Sequence, residues 1–109
     1  MENYNPLLID VLPYLTNRIK DYFISKSRFD LANQVDNLRI KGLCECGEPD
    51  CGSFYLIEYE ENEEKLEGFP FEEIGTIEVY EGRIGFIEIF PSDFGYEIRT
   101  TLKKNNISY

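Results

Sequence analysis

The chain contains no histidine and no tryptophan, a single methionine, and only 11 lysines and arginines against 21 aspartates and glutamates. Without an imidazole a cysteine has no ordinary base to activate it, so papain-like nucleophilic chemistry is excluded. There is no Walker loop, no Rossmann glycine fingerprint and no metalloprotease helix, which removes the common routes to nucleotide and metal-hydrolase chemistry. No stretch approaches the ~18–20 apolar residues that cross a bilayer. The N-terminal segment also lacks the basic flank, apolar core and small-residue cleavage site of a secretion signal, and a cytoplasmic protein is expected. Cysteine is scarce as well: Cys44, Cys46 and Cys51 are the 3 present. An odd number of thiols crowded into one short stretch cannot form a full disulfide framework and fits a reducing compartment.

What is present suffices for one core. The 109 residues fall within the usual range of a single domain, taken as 1–109, and 42% are hydrophobic, with 8 Phe and 8 Tyr. The formal charge of −10 is gathered rather than spread: residues 58–73 hold eight glutamates and one lysine, a net −7, whereas residues 1–57 carry −2 and residues 74–109 carry −1. A field of this sign repels phosphate backbones and anionic headgroups, so binding to nucleic acid or an acidic membrane is disfavoured, and a basic protein is the partner it permits.

The hydrophobic pattern changes period along the chain. Asn5 followed by Pro6 reads as a helix cap with proline at the first helical position. Leu8, Leu12, Leu15, Ile19 and Phe23 then recur at helical spacing, interrupted by Pro13, which predicts a break near Asp10 and a longer helix over residues 13–24. Ser27 is the expected cap of a second helix from Arg28 to Gln34 that buries Phe29, Leu31, Ala32 and Val35. Leu38, Ile40 and Leu43 begin a strand that enters the cysteine loop and returns as Ser53 to Tyr59. In IEVYEGRIGFIEIF, Glu81-Gly82 supplies the turn of a hairpin. A regular register would set Ile77 opposite Phe86 and Val79 opposite Ile84 on one face. Ile87 and Ile89 would then share the other face with Thr76, Glu78, Tyr80 and Arg83, and a symmetric dimer through that face is one way to cover them. Pro91 to Gly95 reads as a turn before a last strand around Tyr96 to Leu102, with a frayed polar tail from Lys103. EYEENEEKLEGFPFEE reads as an exposed loop, because Gly68 and Pro70 break a regular ladder. The fold class expected is α+β: two N-terminal helices packed on one face of an antiparallel sheet of four to five strands.

Two features carry candidate function. The first is CECGEPDCG, in which the C-x-C-x4-C spacing allows Cys44, Cys46 and Cys51 to converge on a soft cation such as zinc, with Glu45, Glu48, Asp50 or water as the fourth ligand. The competing readings are a hairpin loop in which small cysteines simply pack, and a redox-sensing loop or loop disulfide. The neighbouring acidic residues act to raise the thiol pKa values. The second feature is the acidic stretch, read either as a solvated connection or as electrostatic bait for a basic protein. In the latter case Glu60, Glu61, Glu63, Glu64 and Glu67 supply charge, and Tyr55, Tyr59, Phe69, Phe71 and Tyr80 supply aromatic anchors. Glu78 and Glu88 on the hairpin are the candidates for inward-facing carboxylates, against the plainer reading of solvated strand glutamates. No catalytic residue is expected.

The segment LRIKGLCECGEPDCGSFYLIE, with LANQVDN before it and GFIEIF after it, resembles a group of small bacterial proteins of undefined activity built around a C-x-C-G-x-x-x-C-x-[ST]-F core. The likeness runs from Leu12 to Phe90 and carries over no catalytic residue. In size and charge such proteins are similar to immunity proteins of bacterial toxin systems. The resulting expectation is a non-enzymatic acidic protein-binding module, an immunity-type inhibitor of a basic toxin. The alternative is a small structural-zinc protein using the cysteine loop.

Overall fold

A computed structural model describes residues 5–56, 66–105 and 107. The fold is α+β, and the described residues form one five-stranded antiparallel sheet flanked in sequence by helices at both ends. A short helix α1 (Leu8–Val11) leads into α2 (Pro13–Ser25), and α3 (Phe29–Ala32) is followed by a 3₁₀ turn at Val35–Asn37. The strands are β1 (Gly42–Leu43), β2 (Phe54–Tyr55), β3 (Leu66–Phe71), β4 (Gly75–Tyr80) and β5 (Arg83–Ile89), and α4 (Asp93–Lys104) closes the order. Across the sheet the strands run β1-β2-β5-β4-β3.

The helical restart falls at Pro13, which occupies the first turn of α2, where its missing N–H costs nothing. Asn5 does not cap α1, however. That helix begins from Leu7, whose extended backbone bridges Arg39 and leaves no side-chain cap. Ser27 likewise does not cap α3; it sits at φ 58 in the tight link after α2, and Arg28 is the residue before the helix. Phe29, expected inside, is 57% exposed, because the short α3 turns Leu31 and Ala32 inward instead.

The sheet departs from the expected register at one residue. Val79 does lie opposite Ile84, but Ile77 pairs with Ile87 and Glu78 with Phe86, the ladder shifting between Glu78 and Val79. Gly85 is therefore an extra residue on β5, a β-bulge, and beyond it every side chain changes face. Ile84, Ile87 and Ile89 are all fully buried on the core side, so the isoleucine face that motivated a dimer through the sheet does not exist. The turn itself has both Glu81 (φ 50) and Gly82 (φ 79) in the left-handed region, as a two-residue turn between right-twisted strands requires.

Part of the stretch read as an acidic loop is a strand. β3 pairs along its whole length with β4, from Leu66↔Tyr80 to Phe71↔Gly75, and includes Gly68 and Pro70. It is an edge strand, where a proline whose nitrogen faces outward removes no ladder bond. Phe69 and Phe71 face α2: Phe23 meets Phe69 edge-on at 5.4 Å and Tyr22 meets Phe71 edge-on at 5.6 Å.

The expected last strand is a helix. Ser92 caps α4 by accepting from the Gly95 amide at 2.9 Å, and Lys103 and Lys104 lie in its last turn, where the helix dipole favours positive charge. Ile98 and Leu102 enter the same core cluster as Leu15, Ile19 and Phe23 of α2 and Ile77, Val79, Ile84, Ile87 and Ile89 of the sheet. The tail is not wholly frayed either: Ile107 is buried and its amide donates to the Leu102 carbonyl. Among the described residues no helix is long and apolar enough to cross a membrane.

A candidate metal centre in the cysteine loop

The loop between β1 and β2 is fixed from several sides. At its mouth the Cys44 amide donates to the Ser53 carbonyl at 3.0 Å, and within it the Cys51 amide donates to Glu48 at 3.2 Å. Gly47 takes the positive φ that turns the loop. The Ser92 amide, just before α4, donates to the Asp50 carbonyl at 3.2 Å. Ser53, buried at the loop's exit, accepts from the Ile89 amide at 2.9 Å and donates to the Ile89 carbonyl at 3.3 Å, tying the loop to the end of β5.

A buried arginine completes the frame. Arg99 of α4 is 2% exposed, and its Nη1 donates to the carbonyls of Cys51 at 3.2 Å and Cys44 at 3.5 Å. The backbones of loop and helix touch directly, since a Cβ on Gly52 would lie 2.9 Å from the Gly95 Cα. The cysteine residues are thus held by one helix and two strands rather than by a free loop.

This frame brings the three thiols together. The Sγ atoms of Cys44, Cys46 and Cys51 all lie within 4.8 Å of one another. Tetrahedral zinc with ~2.3 Å Zn–S bonds sets its sulfurs about 3.8 Å apart, so the three are within one small contraction of a ligand set. All three are free thiols, and they grade from buried Cys51 through half-buried Cys44 to exposed Cys46. Burial pushes the Cys44 thiol up to about 11. Cys46 moves the other way: the Glu48 amide donates to its sulfur and lowers its pKa, with help from the adjacent thiols and the positive charge of Arg99. The expectation that neighbouring acids raise the thiols therefore fails at Cys46, whose pKa is lowered, while at Cys44 the rise comes first from burial.

The acidic candidates are placed differently. Glu60, Glu61, Glu63, Glu64 and Tyr59 lie outside the described residues. Glu67 is exposed on β3 and bonded to Arg28 at 3.0 Å, while Phe69 is half-buried with the Arg28 guanidinium 5.6 Å from its ring centre. Phe71 is fully buried, so its ring belongs to the core and is unavailable as an anchor. Tyr80 is also buried, and Tyr55 packs on Phe86 with ring centres 4.6 Å apart. Glu78 and Glu88 do not point into the core; they accept from the hydroxyls of Tyr80 and Thr76, each at 2.9 Å, on the sheet face away from the helices.

Arg99 is the residue sequence reasoning missed, because its segment reads as a strand. The signal was there: Phe94, Ile98 and Leu102 recur every fourth position after a Ser-Asp start and before a Lys-Lys end. No family model matches the chain, and no curated protein or solved structure shows significant similarity to it.

Proposed function

We propose that the chain is a small non-enzymatic metalloprotein whose Cys44, Cys46 and Cys51 hold one zinc ion for structure. The observation that carries this reading is the gathering of three sulfurs within 4.8 Å where the loop, the end of β5 and the start of α4 meet. Packing alone does not explain the group, since Cys46 is exposed and adds nothing to the core. Soft thiolates suit zinc, and a metal clip in a 109-residue domain fastens a loop that has little apolar surface of its own. Protein purified without chelator and measured by elemental analysis is expected to carry close to one equivalent of zinc. A trace of metal only, together with a melting curve unmoved by strong chelator, would sink the assignment.

A second reading rests on the net −7 of residues 58–73. Such a field accelerates docking of a basic protein, as an immunity-type inhibitor would require, with Glu60, Glu61, Glu63, Glu64 and Glu67 as its charged surface. A pull-down from the source cell at rising salt tests it: a basic partner captured at low salt and lost at high salt supports the reading, and a chain that stays alone at low salt argues against it.

A further inference from the structure

Arg99 lies against the backbone of the proposed metal site. Its guanidinium is buried at 2% exposure, and a cation withdrawn from water is stable only where anionic or strongly polar groups face it. The carbonyls of Cys44 and Cys51 face it, and these belong to two of the three residues whose thiols form the cluster. Three thiolates on a divalent cation leave a net charge of −1, and one guanidinium beside them brings the assembly to neutrality. The same side chain reaches these residues from α4, across 48 positions of sequence from Cys51. Gly52 and Gly95 let the two backbones close to contact, which keeps the guanidinium within hydrogen-bonding reach.

We propose that Arg99 is the positioning and charge-balancing residue of the metal centre, so that zinc loading and the docking of α4 are one coupled event. The inference rests on the zinc reading above. Arg99 does not touch the ion; it fixes the backbone of two ligand residues and offsets the charge of the complex, the task that outer partners perform at metal sites. Coupling follows from reciprocity: if the docked helix tightens zinc, zinc tightens the docked helix by the same factor.

The test is zinc affinity measured by competition with a chromophoric chelator, on the full chain and on Arg99→Met and Arg99→Lys, with cobalt substituted to report thiolate coordination. Arg99→Met is expected to weaken zinc about 10- to 100-fold. Arg99→Lys, which keeps the charge and loses the planar fork, is expected to recover part of that loss. Cobalt spectra should retain their thiolate charge-transfer band in both variants. Equal affinity in all three proteins overturns the role of Arg99 while leaving the zinc site standing, and no zinc binding by the unsubstituted chain overturns both. Amide exchange across residues 93–104 of the unsubstituted chain, with and without zinc, stands independently should Arg99→Met fail to fold. Slower exchange with zinc supports the coupling, and identical exchange overturns it.

Discussion

Gly95, at the start of α4, lies so close to the cysteine loop that a Cβ placed on it would collide with the carbonyl oxygen of Asp50. The helix and the loop therefore meet backbone to backbone, and one added methyl must push them apart. Gly95→Ala is expected to destabilise the fold by ~1–3 kcal/mol, as overpacking of a rigid contact does. Gly68→Ala is the matched control, since nothing lies within 4 Å of a Cβ there, and it should change stability by less than ~0.5 kcal/mol. Chemical denaturation of the two variants beside the parent checks both, and equal midpoints for all three would refute the close contact.

Ser53 tests how the loop is tied to the sheet. Its hydroxyl both accepts from and donates to the backbone of Ile89, in a buried position. Ser53→Ala leaves two backbone groups of Ile89 without that partner, an expected loss of ~1–3 kcal/mol. Ser53→Thr, which restores the hydroxyl, should lose less; an alanine variant as stable as the parent would show the hydroxyl to be dispensable.

Zinc affinity should rise with pH. Cys44, raised to about 11, is protonated at neutral pH in the metal-free protein, and binding must expel that proton. Each proton expelled tightens the apparent affinity about tenfold per pH unit over the range where the free thiol is protonated. Cys46, lowered from the ordinary thiol value, contributes less to this slope as pH climbs through its own pKa. Competition titrations at pH 6, 7 and 8 should give progressively tighter binding, and a flat profile would contradict displacement of the Cys44 proton.

Thiol reactivity should rank by exposure and thiolate character. Cys46 is exposed with a lowered pKa, Cys44 is half-buried with a raised one, and Cys51 is buried. Iodoacetamide should therefore modify Cys46 first in metal-free protein, and zinc should slow the reaction at all three. Peptide mass mapping over time reads the order directly. Modification of Cys51 ahead of Cys46 would contradict the geometry of the loop.

Local features of the fold were legible because they depend on neighbours in sequence. The apolar positions Leu15, Ile19 and Phe23 announce α2, Pro13 announces its start, and Glu81-Gly82 announces the hairpin turn. The convergence of Cys44, Cys46 and Cys51 was also legible, since so short a spacing with Gly47 inside it leaves the sulfurs few places to go. The bulge at Gly85 was not, because strict alternation presumes that no residue is added, and one added residue reverses the face of Ile87 and Ile89. α4 escapes the sequence pattern for a related reason. Pro91 and Gly95 look like turn residues, yet Ser92 uses that same bend to cap a helix.

The chain's own order of residues determined its acidic balance, its lack of imidazole chemistry, its first helices and a loop that gathers three thiols. Only the tertiary structure decided that β3 finds the edge of the sheet beside β4, that Ile87 and Ile89 turn inward, and that Arg99 returns from α4 to the carbonyls of Cys44 and Cys51. The physical reason is range. Helical period and turn chemistry are set within a few residues, whereas a contact between distant segments forms only where the whole core, packed at once, makes it the arrangement of lowest free energy.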